Sequence, residues 1–172
     1  MALSASKLKN EILAIINDPL NFPASENEAK QRLADAYDNY AQDAVDGSGD
    51  GPLSVNKSGF QSALNFPVGG SAAAAATAFE TAVVTYWTGA TFNITTPPIG
   101  SLSKVSSTII TPPIPNGLIG VVFADISAGV TADEKAQQVA DAIHTMTITG
   151  AGIINHIIPG GFPGPPIPYT IS

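Results

Sequence analysis

The sequence predicts a mainly α fold, namely a helical bundle with Pro-rich spacers and an extended C-terminal arm with some β character. Apolar residues recur at helical spacing in the first half of the 172-residue chain, and two capping-box patterns mark helix starts. After Gly89 the composition shifts to Gly, Pro, Thr and Ile. We therefore expect a helical domain over residues 1–145 with an extended Pro-rich insertion near 90–116, followed by an extended uncharged arm over 146–172.

Two helices are predicted before residue 46. Ser25 to Glu28 forms a capping-box pattern, in which the serine hydroxyl and the glutamate side chain each satisfy a free backbone amide at a helix start. Pro19 ends the helix before it. The apolar faces are Leu8, Ile12, Ile15 and Ile16 in the first helix, and Ala29, Leu33, Ala36, Tyr37, Tyr40 and Ala44 in the second.

Two more helices follow a glycine-rich break at 46–52. The third predicted helix contains Val55, Phe60, Ala63 and Leu64, and is ended by Pro67. The fourth runs from about Ala72 to Trp87, because its alanine run favours helix and Gly89 suits a C-terminal cap.

Proline pairs recur in the second half. Thr96-Pro97-Pro98-Ile99 is repeated as Thr111-Pro112-Pro113-Ile114, and Pro165-Pro166-Ile167-Pro168 resembles both. Adjacent prolines fix an extended backbone and lack amide donors, so each copy is expected to be a stiff spacer on the surface of a subunit or between subunits. The alternative, a proline-motif ligand for a signalling domain, usually carries a basic anchor that is missing here.

The remaining segments differ in how clearly they predict structure. Residues 102–110 fit either a short helix or a strand, whereas Leu118, Val121, Val122 and Ile126 indicate a buried helix. Thr131 to Glu134 is the second capping box, and it opens the best-defined helix of the chain. From Met146 onward the sequence has the Thr, Gly and Ile content of an extended arm.

Charge is distributed unevenly along the chain. Fifteen of the 21 charged residues lie in the first 80 positions, Lys104 is the only one between Thr81 and Ala124, and the last 31 residues have none. Charged residues make up 12% of the chain, against about 25% in an ordinary soluble domain. We therefore expect burial in an oligomer; a monomer with a Ser/Thr/Asn surface is the alternative. The candidate subunit interface is Ile157, Ile158, Phe162, Ile167 and Tyr169 of the arm.

Composition argues against several classes of function. The net charge is −7 and the seven basic residues are scattered, so we expect no nucleic-acid partner. No run of 18 apolar residues predicts a membrane span, and the absence of cysteine removes disulfides, thiolate zinc sites and thiol nucleophiles. The N-terminus has an amphipathic pattern rather than a signal-peptide core, so the chain is expected to stay in the cytoplasm where it is made.

The sharpest chemical motif is the segment from Asp46 to Ser54. It matches the first nine positions of an EF-hand calcium loop, with oxygen side chains at positions one, three and five and glycine at six. The twelfth position, normally glutamate, is Lys57, and Pro52 follows the glycine. A solvated turn between helices is therefore the preferred interpretation, and a weak, nonclassical calcium site is the alternative.

No other pattern predicts a catalytic or metal site. His144 and His156 are the only histidines, and their spacing does not fit a zinc site. No nucleophile elbow, Ser-x-x-Lys set or His-Glu-x-x-His pattern occurs. The sequence thus predicts no enzyme, no catalytic residue, no bound metal and no cofactor.

The layout of the whole chain resembles that of small virion structural proteins of tailed bacteriophages. The features that carry the resemblance are the helical first half, the Tyr86-Trp87-Thr88-Gly89 turn, the capped helix from Thr131 to His144 and the uncharged Gly/Pro-rich end. The resemblance implies a non-enzymatic neck, tail, baseplate or head-tail connector component that forms a ring or symmetric platform. Its partners would be copies of itself and other virion proteins. The alternative is a secreted or surface-attached binding module with a weak calcium loop.

Overall fold

The computed structural model describes residues 3–17, 23–65, 71–125 and 129–172. Within these ranges the chain forms six helices and six strands. The helices are α1 (Ala5–Ile16), α2 (Glu26–Ala41), α3 (Lys57–Ala63), α4 (Ala72–Trp87), α5 (Leu118–Ala124) and α6 (Ala132–Thr147). The strands are β1 (Pro52–Ser54), β2 (Thr91–Phe92), β3 (Ser103–Thr111), β4 (Ala151–Ile158), β5 (Phe162–Pro163) and β6 (Ile167–Thr170).

The prediction of a mainly α bundle is wrong. Helices make up 47% of the chain, but an antiparallel six-stranded sheet accounts for another 18%, so the fold combines both kinds of layer. The strands are ordered β1-β2-β3-β4-β5, and β6 also pairs with β4. The segments predicted as a Pro-rich insertion and a C-terminal arm supply β2 to β6.

Irregular strand pairing explains why the sheet was missed. The register between β3 and β4 shifts between Lys104 and Ser106, and again between Ile109 and Thr111. A bulge inserts an extra residue, so the buried residues of β3 fall at 104, 107 and 109 instead of at every second position. This spacing is compatible with a helix as well as with a strand, which is the ambiguity found in the sequence.

The predicted helix starts are largely confirmed. The Ser25, Ser71 and Thr131 side chains each accept a hydrogen bond from the amide three residues on, and Thr131 completes a full capping box with Glu134. In α2 the Glu28 carboxylate instead accepts from the amide of Ala24, at 2.9 Å. The predicted helix ends at Pro19 and Pro67, and the predicted inward residue Ile126, lie outside the described residues.

The six helices form a closed ring in chain order. Each helix packs against the next, and α6 returns to pack against α1. The sheet joins the ring through an aromatic core: Trp87 of α4 stacks on Phe92 of β2 with ring centroids 6.1 Å apart, and Phe92 lies 5.7 Å from Tyr169 of β6. The C-terminal strands therefore share one core with the helices, since Ile154 and Ile171 are also buried in it.

Candidate functional site

A buried charge cluster lies where the sequence showed a calcium-loop pattern. Lys104 enters it from β3 with a fully buried side chain, and its Asp46 and Asp50 partners are 0% and 3% exposed. The ammonium Nζ donates to Asp46 Oδ2, to Asp50 Oδ2 at 2.8 Å and to Ser48 Oγ at 2.9 Å.

The loop thus surrounds a cation, and that cation is the Lys104 ammonium of the same chain. Asp46, Ser48 and Asp50 are the first, third and fifth positions of the loop pattern, the same positions that hold calcium in an EF-hand. Lys57, at the twelfth position, instead forms ion pairs with Asp35 at 2.7 Å and Asp38 at 3.0 Å. The segment is therefore a buried ion cluster rather than the solvated turn that the sequence favoured.

Further hydrogen bonds hold both carboxylates in place. Asp46 Oδ1 accepts from the amides of Ser48 and Asp50, at 2.9 and 3.2 Å. Asp50 accepts from the Thr95 hydroxyl at 2.5 Å and from the Thr96 amide and hydroxyl at 3.0 and 2.8 Å. The threonine that opens the first Pro-Pro spacer thus fastens that spacer to the ion cluster of its own subunit.

These contacts keep the two carboxylates ionised. Burial alone would raise the pKa of Asp50, but the Lys104 ammonium and the two threonines outweigh burial and hold that pKa far below its usual range. The pKa of Asp46 is also lowered, because hydrogen bonds from Lys104, Ser107 and Ser48 outweigh the effect of burial. Lys104, Asp46 and Asp50 therefore form an ion triad, and the carboxylate oxygens already accept hydrogen bonds from groups of the same chain.

The two histidines lie in separate networks. His144 Nδ1 of α6 is 2.8 Å from the Tyr40 hydroxyl. In β4, the ring nitrogens of His156 contact Ser101 Oγ at 2.5 Å and the Pro165 carbonyl oxygen at 3.0 Å. In the described part of the chain, no three His, Asp or Glu residues are grouped so that they could hold a metal ion.

One face of the sheet packs on the helices and the other carries no charged side chain. Lys104 is the only charged residue of the six strands, and it points into the core. On the outer side, Val105 and Ile110 are 53% and 61% exposed. We call this the outer sheet face; its members are Ser103, Val105, Ser106, Thr108, Ile110, Ala151, Ile153, Asn155, Ile157, Pro163, Pro168 and Thr170.

A second apolar surface lies on α5. This helix contains no polar side chain, although a helix that is apolar on all sides is normally buried. Val121 is 68% exposed, and Leu118 and the nearby Ile114 are exposed as well. We call Ile114, Leu118 and Val121 the α5 patch.

No family model, curated protein or solved structure matches this chain. Among the described helices, none has the length and apolar character needed to cross a membrane.

The five predicted interface residues do not form a single surface. Phe162 is 67% exposed, whereas Ile157, on the outer sheet face, and Ile158 are both half-buried. Ile167 is half-buried against the core, and Tyr169 is buried inside its own subunit, where burial raises its pKa to about 12. Of the five, Phe162 is thus the one whose side chain is mostly exposed.

Lys104 is the site residue that sequence reasoning missed. It was noted as the one charge between Thr81 and Ala124, but it was not connected with Asp46 and Asp50, more than 50 positions earlier. Two features of the sequence point to this site. One is a lone lysine in a long uncharged segment, and the other is a carboxylate loop that lacks its final acidic ligand.

Proposed function

We propose that this protein is a non-enzymatic structural subunit of a tailed-phage virion that assembles into a ring or symmetric platform. The observation that supports this best is the outer sheet face, which has no charged side chain in a chain of net charge −7. The phage context rests on the resemblance of the sequence. We place the subunit in the virion, in the neck, head-tail connector or tail region, after synthesis in the host cytoplasm.

Charge favours the outer sheet face as the surface where two subunits meet. Most charged residues belong to the helices, where nine acidic and six basic side chains leave a net negative charge, so two copies that met through their helices would repel each other. Contact through the outer sheet face avoids that repulsion. Burial of apolar area contributes about 25 cal/mol per Å², so the exposed Val and Ile side chains favour association.

A ring needs two different surfaces on each subunit. A surface that contacts itself gives a two-fold dimer, whereas a head-to-tail contact between unlike surfaces generates a ring when the rotation closes. The outer sheet face and the α5 patch belong to different elements of the fold, and none of their own side chains is charged. We propose that the outer sheet face of one copy contacts the α5 patch of the next, and that other virion proteins bind the completed ring.

Complementary variants test this arrangement. Val105→Asp places a charge on the outer sheet face, and Val121→Asp places one on the α5 patch. Each variant alone is expected to be monomeric by size-exclusion chromatography with light scattering, while the unmodified chain forms a closed oligomer. Mixed together, the two variants retain one intact surface each and are expected to form a 1:1 dimer.

The matched control is Thr81→Asp, an exposed position on α4 outside both surfaces, which is expected to leave the oligomer unchanged. Circular dichroism of each variant confirms folding. A monomeric unmodified chain would contradict the proposed assembly. Assembly that survives Val121→Asp but not Val105→Asp would contradict the head-to-tail arrangement and indicate a two-fold contact.

The alternative of a calcium-dependent binding module is weakened by the ion cluster. Lys104 Nζ contacts oxygens of the same three loop positions that a calcium ion would use. A calcium ion would have to displace this ammonium inside the protein, where the two positive charges repel each other. Calorimetric heat on adding millimolar calcium, abolished by Asp50→Ala, would restore the alternative.

A further inference from the structure

A partly open apolar cavity of about 210 Å³ lies between the helices of the ring. Leu8, Ala36, Tyr37 and Phe79 form its buried part, each at most 5% exposed. These side chains come from α1, α2 and α4, so the cavity lies within the ring and away from the outer sheet face.

The cavity offers no unsatisfied polar group. Among the described lining residues, the only polar side-chain atom is the Tyr37 hydroxyl, which accepts a hydrogen bond from Trp87 Nε1 at 2.8 Å and lies 3.0 Å from Thr147 Oγ1. A water molecule needs two to four polar partners to be held in a cavity. The lining therefore favours an apolar occupant over water.

The cavity also has a route to the surface. Ile12, Leu33, Phe123 and Val139 complete its lining and are only half-buried, unlike the four residues further inside. Partly exposed lining gives a ligand access without unfolding of the ring.

We propose that this cavity is a binding site for a small, uncharged, apolar molecule, either one aromatic ring with an alkyl group or a short alkyl chain. Cavities of about 150 Å³ lined by Leu, Ile and Phe are known to bind benzene, so about 210 Å³ accommodates a slightly larger molecule. Charged ligands are excluded because no described lining residue carries a counter-charge. This inference does not depend on the proposed assembly.

Toluene is the probe, with the full-length chain. We expect toluene to shift the methyl NMR signals of Leu8, Ile12 and Val139 in a saturable way, while methyl groups of the outer sheet face stay unchanged. At ten times its dissociation constant, toluene should raise the thermal unfolding midpoint by about 3 °C or more. Benzoate, which has the same ring with a negative charge, should produce neither effect.

A variant that fills the cavity and one that adds the same side chain outside it distinguish binding in the cavity from general hydrophobic contact. Ala36→Leu adds three carbon atoms inside the cavity and is expected to weaken toluene binding at least tenfold. Gln31→Leu adds a leucine to the exposed side of the same helix and should leave binding unchanged. Val139→Phe serves as the filled variant if Ala36→Leu does not fold.

Two results would overturn the proposal. One is the absence of both methyl shifts and stabilisation with toluene up to its solubility in water. The other is an equal response from a folded, filled variant, because binding would then take place outside the cavity.

Discussion

Lys104, Asp46 and Asp50 bring three charges out of water, and their contacts offset the cost of doing so. An isolated ion inside a protein costs several kcal/mol, and an ion pair recovers this only with good geometry and further hydrogen bonds. Here the ammonium has three oxygen partners and each carboxylate has additional donors from the loop or from Thr95 and Thr96.

Removing only the cation should therefore be costly. In Lys104→Met, two buried carboxylates lose their counter-charge, and we expect the free energy of unfolding to fall by about 3–5 kcal/mol. Urea denaturation followed by circular dichroism measures this. The matched control is Lys57→Met, whose ion pairs are partly exposed, with an expected loss below about 1 kcal/mol.

A triple variant separates charge from packing. Asp46→Asn and Asp50→Asn combined with Lys104→Met remove all three charges together, so most of the lost stability should return. If the triple variant were no more stable than Lys104→Met, the loss would come from packing of the lysine side chain rather than from uncompensated charge.

The lowered pKa values of Asp46 and Asp50 predict acid sensitivity. A carboxyl whose pKa is lower in the folded state than its unfolded value of about 3.9 stabilises the fold above that pH. That contribution is lost as the pH falls through the lower, folded pKa. We expect the free energy of unfolding to decrease between about pH 4 and pH 2.

Asp50→Asn identifies the groups responsible. This variant lacks one of the two titrating carboxyls. The slope of its unfolding free energy against pH should therefore be smaller than that of the unmodified chain, by up to about 1.4 kcal/mol per pH unit in the acid range. Unfolding curves at half-unit pH intervals measure both slopes. Identical slopes for the variant and the unmodified chain would exclude Asp50 as a source of the acid sensitivity.

At the level of single elements, the helices were predictable because their signals are local. Capping boxes at Ser25 and Thr131 predict the starts of α2 and α6, and an alanine run with Gly89 after it predicts α4, so each signal lies in or beside the helix that it marks. Gly89 has the left-handed backbone, φ 71°, that the predicted cap requires.

The strands were less predictable because their stability depends on distant partners. β1 pairs with β2 nearly 40 residues later, and the bulges of β3 remove the two-residue alternation that marks a strand. Pro-Pro spacers between strands also obscured the pattern, since prolines argue against a central strand. The prolines lie mainly in the connections, and Pro168 is in β6, which pairs only with β4.

Deleting residues 146–172 tests whether the C-terminal strands belong to the core. If residues 146–172 were the extended arm that the sequence predicts, a chain ending at Thr145 would keep its helices folded. The structure instead buries Ile154, Tyr169 and Ile171 against the helices, so the shortened chain should lose cooperative unfolding. Thermal denaturation and near-ultraviolet circular dichroism report this; a sharp transition in the shortened chain would show that the helix ring folds independently.

At the level of the whole molecule, charge lies mainly on the helices and the outer sheet face has none. Salt screens repulsion between charged helices but does not weaken an apolar contact. We therefore expect the oligomeric fraction to rise as sodium chloride increases from 0.05 to 0.5 M, measured by light scattering at fixed protein concentration. A falling fraction would indicate an interface held by opposite charges.

The candidate interface was predictable in kind but not in position. Charge depletion after residue 80 predicts an uncharged surface, and the outer sheet face is built from that part of the chain. Which apolar side chains of that region face outward depends on strand direction and register, and the sequence did not specify either. Tyr169 accordingly lies in the core, while Val105 and Ile110, in a segment of ambiguous pattern, lie outside.

The ion cluster also restricts how the sheet can be aligned. If β3 slipped by one residue, Val105 would face Asp46 and Asp50, and Lys104 would point to the outer side. Such an alignment would leave two carboxylates buried without a cation and place a charge on the uncharged face. One lysine thereby distinguishes the correct pairing from its nearest competitor, in strands whose Ser, Thr and Ile side chains differ too little to do so.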